Sequence, residues 1–371
     1  MHTDVLIIGA GLSGLHTAYE CHKRGTEYCV LEARDRIGGR VLSWNAEGSE
    51  YNPQLAGVDL GPSWFWPGQN RIYSLLAELG LEGDVFFQNG KGDAVYEDNQ
   101  GVIQRGVDGI SMSGAYRLKG GIRQLISRLG DELSSDAINT NAVVTEIKRD
   151  AEIITARYKT ENFIEEITCQ RLVIALPPRV ALTHITFEPV LSNERIEQLN
   201  GIATWMAGHA KLVCVYEQQF WSEQGLSGDA ISHRGPLQEI HDASSDDQSL
   251  YALFGFLGVP VVNRRNRQDE LKNMAIKQLA RMFGEQALKP KIVYLQDWAM
   301  ESYTSTQLDQ EIQRFHPMNN IGYVSEPTWQ DKIIWSGSEA ADYRQHNNGF
   351  LEGALEASMH TLSLLNKINQ K

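Results

Sequence analysis

A glycine-rich turn near the N-terminus constrains the fold of this chain more than any other feature. The apolar run 5–8 is typical of a strand buried on both faces of a parallel sheet. Gly9, Gly11 and Gly14 follow it directly and lead into a segment with helical periodicity. In such a unit, the first glycine permits a tight turn, the second lets the backbone approach a pyrophosphate, and the third allows close helix–strand packing. The pattern predicts a Rossmann-like dinucleotide site.

Two neighbouring features favour a dinucleotide site over an ordinary tight turn. The helix N-terminus offers free N–H groups and a positive dipole end to phosphates, and the Ser13 hydroxyl is a further donor. Glu32 ends a second predicted strand, where a carboxylate accepts hydrogen bonds from an adenosine ribose. This fingerprint does not choose between NAD and FAD.

The charged run that begins at Glu32 favours FAD. Residues 32–40 read Glu-Ala-Arg-Asp-Arg-Ile-Gly-Gly-Arg. Paired glycines and the two arginines Arg34 and Arg40, just beyond the ribose carboxylate, suit an extended, doubly charged dinucleotide bound along its whole length. A solvated run of charges is the alternative, and the glycines embedded in the run disfavour it.

Composition limits the class of partner. A chain of 371 residues, 42 % of them hydrophobic, is long enough for two domains with a core each. Acidic residues outnumber basic ones 47 to 34, which gives a formal net charge of -13. That balance argues against nucleic acid or an anionic membrane surface and mildly favours a cationic small molecule.

Location is predicted from the cysteines and from the apolar runs. The four cysteines have no metal-site spacing, so we expect a reduced cytoplasmic chain without a metal. A first strand that begins at about Asp4 leaves no room for a signal peptide. No apolar run approaches the roughly 20 residues of a membrane helix, which predicts a soluble protein.

Further motifs, spread over nearly the whole chain, resemble those of the flavin-containing amine oxidase family, which includes monoamine, polyamine and L-amino-acid oxidases. They follow one another in the family's order. They are Val58-Asp59-Leu60-Gly61-Pro62-Ser63-Trp64, Gln69-Asn70-Arg71-Ile72, Gly120-Gly121, Val144-x-x-Ile147, Ala175-x-Pro177-Pro178, Lys211, Phe220-Trp221, Trp298, Gly337-Ser338-Glu339 and Gly349-Phe350-x-Glu352-Gly353-Ala354.

The resemblance implies an α/β fold in which a Rossmann-like FAD-binding domain is interleaved with a smaller α+β substrate domain. The FAD-binding domain would comprise residues 1–78, 119–195 and 300–371. The substrate domain would comprise residues 79–118 and 196–299. The residue patterns fit this division, because Rossmann-like elements recur at both ends with strand-rich material between them.

The resemblance also implies contacts to FAD. Glu32, Arg34 and Arg40 would hold the ribose and phosphates, and Val144 would meet the adenine with its backbone. The turn 61–64 would lie along the flavin. The expected contacts are Gly9, Gly11, Ser13, Gly14, Glu32, Ala33, Arg34, Gly39, Arg40, Gly61, Pro62, Ser63, Trp64, Val144, Trp298, Glu339, Gly349, Phe350 and Leu351.

Two of the contacts near the C-terminus have roles that the resemblance specifies. Glu339 would reach the ribityl chain of the cofactor. Gly349 would begin a helix whose positive end faces the flavin edge where negative charge develops on reduction. An ordinary helix start after two asparagines is an equally good interpretation of Gly349 from the residues alone.

The chemistry implied by the resemblance is oxidation of an amine by molecular oxygen. The flavin takes a hydride equivalent from the carbon beside a neutral amine, oxygen reoxidises it to give hydrogen peroxide, and the imine hydrolyses. Lys211, in an apolar strand, matches the family lysine that holds a water against the flavin and is the expected catalytic residue. A lysine that snorkels from a sheet edge is the alternative.

The expected substrate cage departs from the family pattern. Monoamine oxidases place two tyrosines in front of the flavin, and Leu308 and Phe350 stand at those positions here. This half-aliphatic cage disfavours the usual monoamine activity, unless Trp64, Trp66 and Trp205 compensate for the missing ring.

Two other positions limit the cofactor linkage and the substrate. Gln307 stands where members with a covalent flavin carry cysteine, so we expect FAD to be non-covalent. Trp64 stands where L-amino-acid oxidases carry a carboxylate-binding arginine, which argues against an amino acid substrate.

The resulting prediction is an FAD-dependent oxidase of a primary amine or polyamine. Two alternatives stay open: a flavoenzyme of the same fold that dehydrogenates a carbon–carbon bond, as protoporphyrinogen oxidases and desaturases do, and a non-catalytic flavin-binding partner protein. The segment between Gly80 and Gly120 is shorter than in members with a helical lid. We therefore expect an open pocket or one completed by another chain in a homo-oligomer.

Overall fold

The structure is a computed structural model that describes residues 1–43, 57–88, 90–107, 111–311, 329 and 332–368. The strands found there are β1 (His2–Ile8), β2 (Tyr28–Leu31), β3 (Val85–Phe87), β4 (Asp93–Glu97), β5 (Ile103–Arg105), β6 (Tyr116–Leu118), β7 (Ile138–Asn139), β8 (Val143–Asp150), β9 (Ile153–Lys159), β10 (Ile164–Ile174), β11 (Thr186–Glu188), β12 (Ala210–Tyr216), β13 (Leu226–Ser232), β14 (Leu237–Asp242), β15 (Tyr251–Leu257), β16 (Ile292–Asp297) and β17 (Ile333–Trp335). The α-helices are α1 (Leu12–Lys23), α2 (Asn70–Glu78), α3 (Arg123–Asp131), α4 (Pro178–His184), α5 (Asn193–Gly201), α6 (Phe220–Glu223), α7 (Val261–Arg264), α8 (Gln268–Phe283) and α9 (Leu351–Ile368).

The first sheet contains the dinucleotide-type unit. Its strand order is β11-β8-β9-β10-β1-β2-β7, and β17 pairs with the second half of β10. β1 runs parallel to both β2 and β10, and α1 connects β1 to β2. The glycine turn therefore lies at the carboxyl ends of parallel strands, which is where open α/β sheets bind their ligands.

Strand β1 is buried on both faces, as its continuous apolar run predicts. Val5 and Ile7 pack into a core with α1, α2, α3 and α9. Leu6 and Ile8 pack on the opposite face into a second core with β8, β9, α4 and α5. Because side chains alternate along a strand, a run that is apolar at every position needs such a core on each face.

The second sheet has the order β16-β12-β15-β14-β13-β4-β5. One face is covered by α8. On the other face, Val213 and Phe254 share a core with Leu42, Val58 and Leu60. Val58 and Leu60 lie just before the turn 61–64. This contact places the second sheet against the turn expected to lie along the flavin.

Candidate active site

One cavity of about 850 Å³ extends from the glycine turn of the first sheet to the inner face of the second. Its volume lies in the upper part of the roughly 300–1,000 Å³ typical of small-molecule sites. Every expected FAD contact lines it except Gly14. Residues far apart in the chain, from Gly9 to Leu351, are thus brought to one surface.

The glycine turn has the shape that a pyrophosphate requires. Gly9 has φ 101°, and a Cβ there would lie 2.8 Å from the carbonyl oxygen of Ala175. A Cβ on Gly14 would overlap the carbonyl oxygen of Gly9, so Gly14 serves packing beneath the turn. A Cβ on Gly11 would meet no atom of the described residues within 4 Å, although Gly11 lines the cavity. Gly11 therefore leaves open space for a phosphate, which fits FAD.

Helix α1 begins at Leu12, and within the described residues its N-terminus has no side-chain cap. Its N–H groups are therefore available to an anion at the cavity wall. The Ser13 hydroxyl instead lies 2.8 Å from Ser336 Oγ and accepts a hydrogen bond from the backbone N–H of Gly337. Ser13 thus ties α1 to the loop that follows β17.

Glu32 and Arg34 form the charged end of the cavity. Glu32 is buried and accepts hydrogen bonds from the backbone N–H groups of Ala10, at 2.8 Å, and Arg34, at 2.9 Å. Arg34 donates to the hydroxyl of Thr304 at 2.8 Å and lies over the ring of Tyr303. The Nε atom of Arg34 is buried with no partner among the described residues. A carboxylate and a partly unsatisfied guanidinium fit the ribose and phosphate of an adenine nucleotide.

Arg40 and Glu339 form an ion pair across the middle of the cavity, with an N–O distance of 2.8 Å. Arg40 also donates to Ser338 Oγ at 3.1 Å and to the carbonyl oxygen of Trp205. The pair holds both side chains in place, and the family resemblance assigns them to phosphate and ribityl contacts. Preorganised polar groups of this kind reduce the entropic cost of binding.

Lys211 lies on β12, an inner strand of the second sheet, and its side chain is buried rather than snorkelling from an edge. Its Nζ donates to Ser63 Oγ at 2.7 Å and to the carbonyl oxygen of Gly61 at 3.2 Å. The same atom lies 3.9 Å from the ring centroid of Phe254. Lys211 thus bridges the second sheet and the turn 61–64.

The environment of Lys211 disfavours its charged form. Burial lowers the pKa of Lys211 to about 7; Arg117 acts in the same direction, whereas Asp59 opposes the shift. Asp59 is itself buried, and burial raises the pKa of its carboxyl. A lysine whose pKa lies near neutrality can hold or release a proton at the cavity wall.

Aromatic side chains line the cavity beyond the turn 61–64. Phe350 packs edgewise against Trp66, with ring centroids 5.6 Å apart. Trp205 packs closely against Gly349, which precedes α9 and has φ 81°. A Cβ on Gly349 would lie only 2.5 Å from the Cβ of Trp205, so the contact requires glycine. Trp64, Trp66 and Trp205 all line the cavity, as does Phe350. The tryptophans that could replace the missing cage ring therefore lie at the cavity wall.

Leu308 does not join this wall, contrary to the expectation from the sequence. It is 58 % exposed and does not line the cavity. The short 3₁₀ turn Gln307–Asp309 is held by the buried Asp309, which pairs with Arg179 at 2.6 Å and with the hydroxyl of Thr306. Because Asp309 is buried, Leu308 and Gln307 are turned outward. Neither residue lines the cavity in which the cofactor would bind.

The sequence also misses an acidic group on the second sheet. Glu239 lines the cavity on β14, and its Oε1 lies 2.8 Å from Nε2 of His241. On a strand, polar residues two positions apart are typical of a solvent-facing edge, so no sequence signal distinguishes these two. Only the packing of the two sheets shows that this face meets a cavity.

Two features are absent from the described residues: a cluster of metal ligands and a membrane-spanning helix. No three His, Cys, Asp or Glu side chains among them are grouped so as to hold a metal ion. No helix in the described ranges combines the length and apolar character needed to span a membrane.

Two known family models match most of the chain. Residues 102–357 match the model for flavin containing amine oxidoreductases, and residues 7–79 match that for an NAD(P)-binding Rossmann-like domain. These matches confirm the α/β fold with a Rossmann-like domain, the oxidoreductase class and FAD as the cofactor predicted from the sequence.

Individual relatives are similar over nearly their whole length. A probable flavin-containing monoamine oxidase A of Dictyostelium discoideum is 24 % identical, with 95 % of each chain covered, and a putrescine oxidase of Kocuria rosea is 22 % identical, with 96 % of this chain and 94 % of the relative covered. In fold, the chain is similar to wild-type putrescine oxidase bound to putrescine (TM-score 0.80, 21 % identity, 100 % and 99 % covered) and to cyclohexylamine oxidase from Brevibacterium oxydans IH-35A (TM-score 0.80, 20 % identity, 99 % of each covered). With a family model matched over residues 102–357 and an N-terminal Rossmann-like match before it, the chain belongs to the flavin-containing amine oxidoreductase family.

Proposed function

We propose that this chain oxidises a primary amine or polyamine to an imine, with O2 as acceptor and hydrogen peroxide as product. The observation that carries the proposal is the placement of Lys211, whose Nζ is buried 2.7 Å from Ser63 in the turn that would lie along the flavin. FAD, when bound, supplies the hydride acceptor. A lysine fixed beside that turn matches the role that the family resemblance assigns to it.

We assign the two ends of FAD to two ends of the cavity. Glu32, Arg34 and Val144 would hold the adenosine end, and Gly11 with the N-terminus of α1 would hold the pyrophosphate. Arg40 would contact the phosphates, and the turn 61–64 would lie beside the flavin. Support comes from the continuous lining of one cavity by all of these residues.

Lys211 would hold a water molecule at the cavity wall. Its amine is anchored on Gly61 and Ser63, and the residue lines the cavity. With a pKa near neutrality, Lys211 can take up or give a proton at Nζ without a large free-energy change.

A polyamine fits the second sheet better than a simple monoamine. Glu239 and Lys211 both lie opposite Phe256, on the two strands that flank β15. Two strand spacings of about 4.8 Å separate their backbones by roughly 10 Å. A substrate amine near Lys211 would therefore leave a second ammonium group within reach of the Glu239 carboxylate. A relative whose name states putrescine as its substrate is consistent with this class.

Other features of the protein follow as part of the same proposal. The division into an FAD-binding domain (1–78, 119–195, 300–371) and a substrate domain (79–118, 196–299) is supported by the strands, since β4, β5 and β12–β16 form the second sheet. Four buried free cysteines are consistent with a reducing, cytoplasmic location. A homo-oligomer stays a prediction.

The experiment is anaerobic mixing of purified holoenzyme with a panel of amines that includes 1,4-diaminobutane and n-butylamine. We expect loss of the flavin's visible absorbance with at least one amine, and peroxide formation when oxygen is admitted. Unchanged absorbance with every amine, in protein that holds FAD, would contradict the proposal. It would favour carbon–carbon dehydrogenation or a non-catalytic flavin-binding role instead.

A further inference from the structure

A buried acid–histidine pair lies directly behind Glu239. Glu239 and His241 are two residues apart on β14 and so share a face of the strand. The pairing of β13 with β14 places Ile231 opposite Glu239, and two residues further along the same register Asp229 meets His241. Asp229 Oδ1 lies 2.8 Å from Nδ1 of His241, and Glu239 Oε1 lies 2.8 Å from its Nε2. The three side chains form one hydrogen-bonded line that ends at the cavity.

Between two ionised carboxylates, the two hydrogen bonds need a proton on each ring nitrogen of His241. An ionised carboxylate only accepts hydrogen bonds, so a neutral imidazole could satisfy one of the two acids and not both. Asp229 and His241 are fully buried, and Asp229 Oδ2 has no partner among the described residues. A cationic ring is the group that best offsets the cost of burying that carboxylate. Burial alone lowers the pKa of His241, but the hydrogen bonds to Asp229 and Glu239 outweigh it and raise the pKa above its usual value.

Packing leaves the His241 ring a single position. The ring lies edgewise to Trp64, with centroids 5.0 Å apart, and 5.6 Å from Phe254. Phe254 is also the ring against which Lys211 packs. Aromatic side chains on two sides prevent His241 from turning away from Glu239. The charged groups that face the ring are Asp229 on β13 and Glu239 on its own strand; on β12, Lys211 lies beyond the ring of Phe254.

We infer that Asp229 and His241 are positioning residues that hold the Glu239 carboxylate at the cavity wall, so that it selects substrates with a second ammonium group. This inference rests on the amine substrate class proposed above. His241 occupies one oxygen of the Glu239 carboxylate, and the other oxygen stays available to a ligand. With one imidazolium between two carboxylates, the cluster keeps a net negative charge, which a distal ammonium group neutralises.

The test compares the binding of 1,4-diaminobutane and n-butylamine to holoenzyme whose flavin has been reduced anaerobically, so that no oxidation takes place during the titration. The double variant Asp229→Leu/His241→Phe removes both buried polar partners and keeps a ring between Trp64 and Phe254. Glu239→Gln removes the carboxylate charge directly. Glu217→Gln is the matched control, because Glu217 is an exposed carboxylate outside the cavity.

For the wild type and the control, we expect calorimetry to give a dissociation constant at least about tenfold lower for 1,4-diaminobutane than for n-butylamine. The diamine makes one charge-assisted hydrogen bond that the monoamine lacks. Glu239→Gln and the double variant should each bring this ratio close to one. In turnover, the loss should appear in KM for the diamine more than in kcat. A double variant with wild-type flavin content and an unchanged ratio would overturn the inference, as would a wild type that binds both amines equally.

A second measurement needs no substitution in the core. With ¹⁵N-labelled histidine, we expect one of the ten imidazoles of the holoenzyme to keep its proton to a higher pH than an ordinary histidine does, and Glu239→Gln to shift that signal. If all ten rings lose their proton at or below the ordinary histidine pKa, the inference is wrong. Selective diamine binding without oxidation of any amine would refute the proposed function and leave this inference standing, whereas oxidation of both amines without selectivity would do the reverse.

Discussion

Lys211 and Glu239 lie directly opposite the same residue, Phe256, on the two strands that flank it in the second sheet. Both side chains line the cavity, a base and an acid on one wall about two strand spacings, or roughly 10 Å, apart. Since the two are 28 positions apart in the sequence, their relation depends on the antiparallel register of β12, β15 and β14.

Acid or heat should release FAD from the protein. None of the four cysteines lines the cavity in the part of the chain that the structure describes, and burial raises the pKa of the thiols of Cys21, Cys29, Cys169 and Cys214. Such thiols are poor nucleophiles for a flavin linkage. The measurement is flavin absorbance in the supernatant and the pellet after precipitation. Flavin that stays with the washed pellet would contradict a non-covalent cofactor.

Gly11→Ala and Gly14→Ala should fail in different ways. At Gly11 the backbone is extended (φ −73°, ψ 176°), so alanine fits the fold, but its Cβ enters the space left for a phosphate. At Gly14 a Cβ would overlap the carbonyl oxygen of Gly9, which destabilises the fold itself. We expect Gly11→Ala to keep the melting temperature of the apoprotein and to bind FAD more weakly.

The matched variant Gly14→Ala should lower the apoprotein melting temperature. Overpacking of this kind costs roughly 1–3 kcal/mol. Thermal unfolding without cofactor and fluorescence titration with FAD separate the two effects. Equal FAD affinity in Gly11→Ala and wild type would show that the phosphate lies elsewhere.

The stability of the protein should rise with pH above neutrality because of Lys211. In the unfolded chain the lysine keeps its proton up to about its ordinary pKa of 10.4. In the folded chain burial lowers the pKa of Lys211 to about 7, so the folded state releases the proton first. Between these values the unfolded state binds more protons, and the free energy of unfolding increases with pH by up to about 1.4 kcal/mol per unit.

The check on this pH dependence is urea unfolding of wild type and Lys211→Met at several pH values from 7 to 9.5, with FAD saturating. The variant lacks the titrating amine, so the difference between the two proteins should grow in favour of the wild type as pH rises. Parallel pH dependences would mean that Lys211 is charged in the folded protein.

Lys211→Met should also separate the two halves of catalysis. Methionine keeps most of the length and packing near Phe254 but cannot donate to Gly61 and Ser63 or hold a water there. A donor in a dry site stabilises negative charge that develops on oxygen. We therefore expect reaction of the reduced enzyme with oxygen to slow by a larger factor than anaerobic reduction by substrate. Stopped-flow absorbance of the flavin measures both rates. If the variant shows wild-type rates of reduction and of reoxidation, Lys211 has only a packing role.

The first sheet is the part of the fold that the sequence predicts most directly. The apolar run 5–8, the glycine spacing and Glu32 identify the dinucleotide unit because each is a local requirement: a doubly buried strand, a tight turn and a strand-end carboxylate. Lys211 could be singled out because a charged residue inside an apolar strand is conspicuous.

Tertiary structure alone decided which side chains meet. Leu308 was expected at the substrate, but burial of Asp309 against Arg179 turns it to the surface. Glu239 and His241 resemble a solvated strand face in the sequence, and they line or support the cavity only because the second sheet packs its inner face towards the turn 61–64. The sequence determined the local units and their chemistry, since these depend on neighbours along the chain. The partners of a buried charge depend on strand register and sheet packing, which join residues that are far apart in sequence.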